Sequence, residues 1–288
     1  MKIAIVGATG MTGRRVIAAL RGRSHGIVAT GRDAAKLAAL GDDIEWRIGD
    51  FDRPETLPKA LAGADAIAYV AHAKHTKLVL DAMEPDVRLV VTGSTRVFSK
   101  LDDPAADAVR QGLAEFAASG RKGQVLLPAM IYGAKEDRNV GRILRFLARF
   151  PRWCPIPVPL PDGGRHTVQP IHVDDVAACV VAALERPESD GEPIVLAGPE
   201  PIPYVRMVRE CARALGRRAV PIPVPVRALA LAANAMAKLG LKPPFDAKEL
   251  TRAAEDKAFD IAPMRARLGV GPRPFADGVA AKVLRGDY

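Results

Sequence analysis

Lys2-Ile-Ala-Ile-Val-Gly-Ala-Thr-Gly-Met-Thr-Gly13 is the stretch on which the fold of this 288-residue chain turns. Ile3, Ala4, Ile5 and Val6 form a short apolar run of buried-strand length, closed by glycine. Gly7, Gly10 and Gly13 follow, and Val16, Ile17 and Leu20 then recur at helical spacing. Strand, glycine turn and helix in that order make a nucleotide-binding arrangement. The first glycine permits the tight turn, the second a close approach of pyrophosphate to backbone, and the third close packing of helix on strand. The helix start adds free N–H groups and the positive end of a dipole. Thr9, Met11 and Thr12 fill the same turn and belong to the same expected site. A glycine-rich turn without a ligand is the alternative.

Working outward, the chain repeats this alternation. His25 to Thr30 reads as a second strand, Ile44 to Asp50 as a third, Ala64 to Ala71 as a fourth and Arg88 to Thr92 as a fifth, with helical stretches between them. Strand-then-helix units of this kind imply parallel strands joined by right-handed crossovers, hence a doubly wound sheet. Ligands of such sheets sit beyond the carboxyl ends of the strands. The Gly7–Gly13 turn, Arg32, Asp50, His72 and Ser94 all fall at strand ends.

The second strand also bears on which dinucleotide is bound. An acidic residue at its end selects NAD through the ribose 2′-OH, whereas arginine accommodates a 2′-phosphate. Gly31 stands where the acid would be, Arg32 follows, and Lys36 lies one helical turn on. Arginine offers a planar fork and lysine a point charge to a phosphate. NADP is therefore expected over NAD, with a solvated helix start as the alternative and Asp33 as the one opposing charge.

Composition excludes several other classes. The chain is 49% hydrophobic and 26% charged, as in a globular enzyme. No segment approaches the ~20 uninterrupted apolar residues of a membrane helix. Gly7 to Arg15 also breaks the apolar N-terminus too early for a signal peptide, so a cytoplasmic protein is expected. Cys154, Cys179 and Cys211 are too widely spaced for a disulfide framework or a metal site, and no metal is expected. The net charge of +9 is spread along the chain, without a recognition helix or basic–aromatic alternation. That favours small anionic ligands or a solvated surface over nucleic acid.

With these residues in place, the chain resembles the short-chain dehydrogenase/reductase superfamily, in its extended or atypical branch. Gly7-Ala-Thr-Gly10-Met-Thr-Gly13 is similar to that branch's Gly-x-x-Gly-x-x-Gly turn. Asp50-Phe51 resembles its adenine-holding pair, and Thr92-Gly-Ser94-Thr-Arg-Val-Phe98 its fifth-strand segment, with Ser94 as counterpart of the catalytic serine. Leu127-Pro128-Ala-Met-Ile-Tyr132-Gly133 looks like the family's Arg-Pro-x-x-x-Tyr-Gly, with leucine for arginine. His172-Val-Asp174-Asp175 matches the segment that returns the chain to the core. The resemblance implies a cofactor site that also takes in Ala71, His72, Ser94 and Pro128.

One departure outweighs these matches. The family's reductases and epimerases use a Tyr-x-x-x-Lys pair on the helix after the fifth strand, where lysine and the nicotinamide ribose lower the tyrosine pKa for proton exchange. Here that helix, Pro104 to Ser119, contains neither residue type, and Ala105 and Val109 fall at the expected positions. Ser94, His72 and Tyr132 remain as catalytic candidates. Each has an ordinary alternative: a cap, a polar loop residue and an interdomain aromatic. His172 with Asp174 and Asp175 imitates a charge relay, but in the family this segment mostly orders backbone.

Residues 1–150 are expected to form the dinucleotide-binding domain and 151–288 a smaller, mainly helical substrate-facing region, with 170–198 returning to the core. Prolines at 151, 155, 157, 159 and 161 and the Val220 to Pro225 run favour extended, polyproline-like chain. Val226 to Leu239 reads as an apolar helix that lines a pocket, is buried, or meets a membrane or partner. Three functions follow in order. The first is an NADP(H)-dependent oxidoreductase on a small, partly apolar carbonyl or enone. The second is a non-catalytic dinucleotide sensor or scaffold. A redox-neutral epimerase comes third, because it needs a competent base. A protein partner or homodimer stays open.

Overall fold

The computed structural model describes residues 1–99, 101, 103–187, 192–229, 231, 235 and 255–288. Most of the apolar stretch 226–239, and Lys100, lie outside the described residues.

The first half alternates as its sequence demands: β1 (Lys2–Val6), α1 (Met11–Leu20), β2 (Gly26–Gly31), α2 (Ala34–Ala38), β3 (Glu45–Ile48), α3 (Leu57–Leu61), β4 (Ala66–Tyr69), α4 (Thr76–Ala82), β5 (Arg88–Thr92), α5 (Pro104–Ala118) and β6 (Gly123–Pro128). Later in the chain, α7 (Val173–Glu185) leads to β11 (Ile194–Leu196), which joins these strands at one edge. The sheet order is β11-β6-β5-β4-β1-β2-β3, and each neighbouring pair is parallel. This is a Rossmann-type doubly wound sheet, as expected.

Its two faces are filled by the period-2 alternation of each strand. Ile3 and Ile5 pack on one side with Val16, Ile17 and Leu20 of α1 and with Val176, Val180 and Leu184 of α7. Ala4 and Val6 face the other side, with Leu61, Val79, Val109 and Phe116. Both faces are covered, so the strands read as continuous apolar runs.

A third core gathers Tyr132, Val140, Leu144 and Leu147 with Ile156, Met207, Cys211, Phe275 and Val279. It draws on both sides of residue 150, where the domain boundary was expected. Its elements are β7 (Ile131–Tyr132), α6 (Val140–Ala148), β8 (Ile156–Pro161), β9 (Thr167–Val168), β10 (Ile171–His172), β12 (Ile202–Pro203), α8 (Tyr204–Ala214), β13 (Ala219–Val224), α9 (Ala262–Leu268) and α10 (Phe275–Leu284). The polyproline-like expectation is corrected here: β8 and β13 pair in parallel, with Ile156 opposite Ala219 and Pro161 opposite Val224. Only alternate residues of a strand bond to a given neighbour. In a two-stranded sheet the intervening prolines turn their missing N–H outward, and Pro157 and Pro159 are exposed.

Two polar joints fasten the C-terminal tail. Gln169 donates to the Gly198 carbonyl at 2.8 Å and accepts from the Phe259 amide at 2.7 Å. Arg273 grips the nearly buried Asp175 carboxylate through Nη2 at 2.7 Å and Nε at 2.9 Å.

Candidate cofactor and substrate site

All seven strands run the same way, so their carboxyl ends share one edge. Along it, in sheet order, stand Asp50 and Phe51 after β3, Arg32 after β2, the Gly7–Gly13 turn after β1, Ala71 and His72 after β4, Ser94 after β5, and Pro128 at the end of β6. The β2 and β5 ends are three strand spacings apart, about 14 Å at ~4.8 Å per strand.

The glycine turn is built for close approach. Gly7 has φ +91°, and a Cβ on it would stand 3.0 Å from the Ala71 nitrogen. A Cβ on Gly13 would lie 2.2 Å from the Gly7 carbonyl oxygen, so α1 can sit this near β1 only without a side chain there. Gly10 is the N-cap of α1 and caps it with no side chain, and the first turn carries no acidic residue. The amides of that turn are left for an anion. Arg14 braces the turn from outside, donating to the Thr9 carbonyl at 3.1 Å and to Glu136 at 2.7 Å.

At the end of β2, Asp33 is the N-cap of α2, accepting from the Lys36 amide at 3.1 Å. That bond, with the Lys36 ammonium 3.2 Å away, holds its carboxyl below the usual range. Asp33 is thus engaged by its own helix and by Lys36. Arg32 is exposed and has no acidic partner among the described residues. Asp50 is mostly buried, accepts from the Asp52 amide at 3.1 Å and lies 3.4 Å from Arg53. Phe51 stacks on His75, with ring centroids 4.4 Å apart and planes 8° from parallel.

Beyond β4 and β5 lies a cavity of about 230 Å³. Ala71, His72 and Ser94 line it, and so do Ala105 and Val109, the two positions where the family's tyrosine and lysine are expected. The wall facing Ser94 is therefore aliphatic. Ser94 Oγ accepts from the Arg96 amide at 3.3 Å, which leaves its O–H free to donate. His72 Nδ1 accepts from the Lys74 amide at 3.3 Å, so the ring's donor is Nε2. Burial, then the Lys74 and Arg96 cations, push the His72 pKa down. The imidazole is neutral near pH 7 and offers a hydrogen bond rather than an acid.

Two polar cavity residues escaped the sequence reading. Thr92 is buried, and its Oγ1 has no hydrogen-bond partner among the described residues. Arg96 also lines the cavity, two residues beyond Ser94. A cation inside Thr92-Gly-Ser-Thr-Arg-Val-Phe was the signal that could have disclosed it.

Tyr132 stands apart from this cavity. It is fully buried in the third core, edge-on to His172 at 5.2 Å and against Phe275 at 5.0 Å. Its hydroxyl has no partner among the described residues and occupies the space left by Gly278, where a Cβ would come within 2.1 Å. Burial raises its pKa. His172 is likewise structural in its contacts: it caps α7 by accepting from the Asp174 amide at 3.2 Å. Burial lowers its pKa to about 4. Among the described residues no cluster of metal-ligating side chains occurs, and no helix is long and apolar enough to cross a membrane.

Comparison with known proteins agrees with this geometry. Residues 7–127 match a family model described as NAD(P)H-binding. An uncharacterized protein of Mycobacterium tuberculosis is 26% identical over 96% of this chain, and the chain spans about a third (31%) of that relative's length. A 3-diazoavenalumate denitrifying reductase of Streptomyces sp is 27% identical, covering 75% of this chain and 82% of the relative. An NAD(P)H azoreductase of Xenophilus azovorans is 25% identical, covering 83% and 82%. Among solved structures, triphenylmethane reductase of Citrobacter sp. superposes with a TM-score of 0.76 at 20% identity, over 99% of this chain and all (100%) of that one. An NADPH-dependent quinone oxidoreductase of Escherichia coli gives 0.72 at 20% identity, over 97% and 99%.

Proposed function

We propose that this chain, which carries an NAD(P)H-binding domain of the extended short-chain dehydrogenase/reductase type, is an NADP(H)-dependent reductase. Its substrate in this reading is a small, partly apolar, conjugated acceptor: a quinone, an enone or a related unsaturated carbonyl. The observation that carries the reading is the pairing of Ala105 and Val109 with Ser94 around one cavity.

An isolated ketone becomes a localised alkoxide on reduction and needs an acid at its oxygen. A conjugated acceptor spreads the incoming charge over several atoms and can take its proton from water, so a site without a tyrosine–lysine relay suits it. Two relatives are named for a diazo and an azo substrate and one structural neighbour for a quinone, all conjugated groups, which supports the same class here.

Bound nicotinamide would supply the hydride. The chain's residues do the rest. The Gly7–Gly13 turn and the open α1 N-terminus hold the pyrophosphate, Asp50 and Phe51 flank the adenosine end, and Arg32 with Lys36 faces the 2′-phosphate. Ala71 and Pro128 border the nicotinamide end. The Ser94 hydroxyl donates to the acceptor's oxygen, and neutral His72 offers a second donor through Nε2. Tyr132 has no part in this scheme.

NADPH oxidation across quinones, enones, azo compounds and aldehydes tests the reading. Turnover with conjugated acceptors is expected, falling about tenfold in Ser94→Ala for one lost hydrogen bond of ~1.4 kcal/mol. A non-catalytic dinucleotide sensor is the second reading, favoured by the same Ala105 and Val109. Tight NADPH binding without turnover on any acceptor would establish it instead.

A further inference from the structure

We propose that Arg96 is the residue that selects an anionic substituent on the substrate, so that the preferred acceptor is an aromatic or conjugated compound bearing a carboxylate or sulfonate. The inference rests on the reading of the cavity as the substrate site and names the substrate class more narrowly.

The backbone of Arg96 is tied to Ser94 by the 3.3 Å bond from its amide to the serine oxygen. A group at Ser94 and a group at Arg96 are therefore presented together. The guanidinium makes no hydrogen bond to any described residue. Among the described residues it has one ion-pair contact, Asp103 Oδ2 at 3.9 Å, which is beyond hydrogen-bond length. Asp103 also caps α5 through its other oxygen, Oδ1, which accepts from the Ala105 amide at 3.1 Å. The Arg96 side chain is 50% exposed, so its donors are open to a ligand at the cavity mouth.

The rest of the cavity fixes the kind of molecule. No carboxylate lines it; Ala71, Ala73, Ala105 and Val109 supply apolar walls. Thr92 also lines the cavity, its buried Oγ1 without a hydrogen-bond partner among the described residues. At about 230 Å³ the space takes the reacting end of a substrate and leaves the remainder near the mouth, beside Arg96. A planar guanidinium matches a carboxylate or sulfonate through two parallel N–H bonds. The cofactor's own phosphates are served elsewhere, by the β1 turn and by Arg32 after β2.

Calorimetry of the NADPH-loaded full chain with 2-naphthoate and with its neutral counterpart 2-naphthamide tests the assignment without requiring turnover. Naphthoate is expected to bind about tenfold more tightly, the equivalent of one charge-assisted bond. The preference should vanish in Arg96→Met and return in part in Arg96→Lys, with NADPH affinity unchanged in both. Equal affinities in the unmodified protein, no binding of either compound, or a preference that survives Arg96→Met would overturn it. A loss of NADPH affinity in Arg96→Met would give the arginine to the cofactor instead. Should no acceptor be reduced while the naphthoate preference stands, the reductase reading fails and the anion site remains.

Discussion

At the scale of single residues, Gly13 and Arg32 make different demands. Gly13 is a matter of space. An alanine there meets the Gly7 carbonyl oxygen at 2.2 Å and the Ala8 Cα at 2.8 Å, both backbone atoms that cannot swing aside. Helix α1 must move off β1, and Gly13→Ala is expected to cost about 1–3 kcal/mol in urea unfolding. It should also weaken NADPH, because the displaced helix start no longer aims its amides at the turn. Unchanged stability and affinity would exclude this account of the turn. Arg32 is a matter of charge. Asp33 is occupied by its helix cap and by Lys36, so Arg32→Gln should raise the NADPH dissociation constant about tenfold and leave that for NADH as it was. Fluorescence titration with both cofactors reads the difference.

Among the elements, α7 shows how one helix start can serve several purposes. His172 caps it while lying fully buried beside β7, and its pKa is held near 4. A histidine lowered in this way refuses a proton that the unfolded chain accepts below about pH 6.5. Its contribution is complete above pH 6.5, declines as the pH falls, and is gone below about pH 4. The linked stability is about 3 kcal/mol. Urea midpoints measured from pH 7 to 4 should fall, with a shallower slope in His172→Gln. The first turn of the helix also holds Asp175, whose bond to Arg273 anchors the Pro-Arg-Pro tail. Arg273→Met removes the cation from a nearly buried carboxylate, leaving it only the residue-273 amide at 3.0 Å, and should cost about 3 kcal/mol. Adding Asp175→Asn should recover part of that loss, and a strictly additive pair would show that the bond is not what anchors the tail.

For the whole molecule, the row of strand ends from β3 to β6 makes cofactor binding a property of the entire sheet. A dinucleotide lying along it would touch groups at the ends of six strands, β3, β2, β1, β4, β5 and β6. Its binding energy should therefore register as global stability rather than as the ordering of one loop. NADPH at a hundred times its dissociation constant is expected to stabilise the fold by about 2.7 kcal/mol. The rise in thermal midpoint should exceed that from NADH at equal concentration. A rise confined to one of two separate transitions would mean that the third core unfolds independently of the sheet.

Strand, glycine turn and helix are written locally, since apolar period, missing side chains and turn chemistry act over a few residues. The sequence by itself therefore determined the parallel sheet, the glycine turn and the row of groups at the strand ends. The lack of a tyrosine and a lysine on α5 was legible too. What Ala105 and Val109 face was not, because it depends on how α5 packs against β5, a contact made across space. The same distance separates the two readings of Tyr132. Its place in the motif suggested a cleft, and only the approach of α10, 146 residues later at Gly278, puts its hydroxyl inside a core. Arg96 looked like one of many scattered arginines. Only the fold shows that it shares a cavity with Ser94 and that its ion-pair contact with Asp103 is a long one, at 3.9 Å.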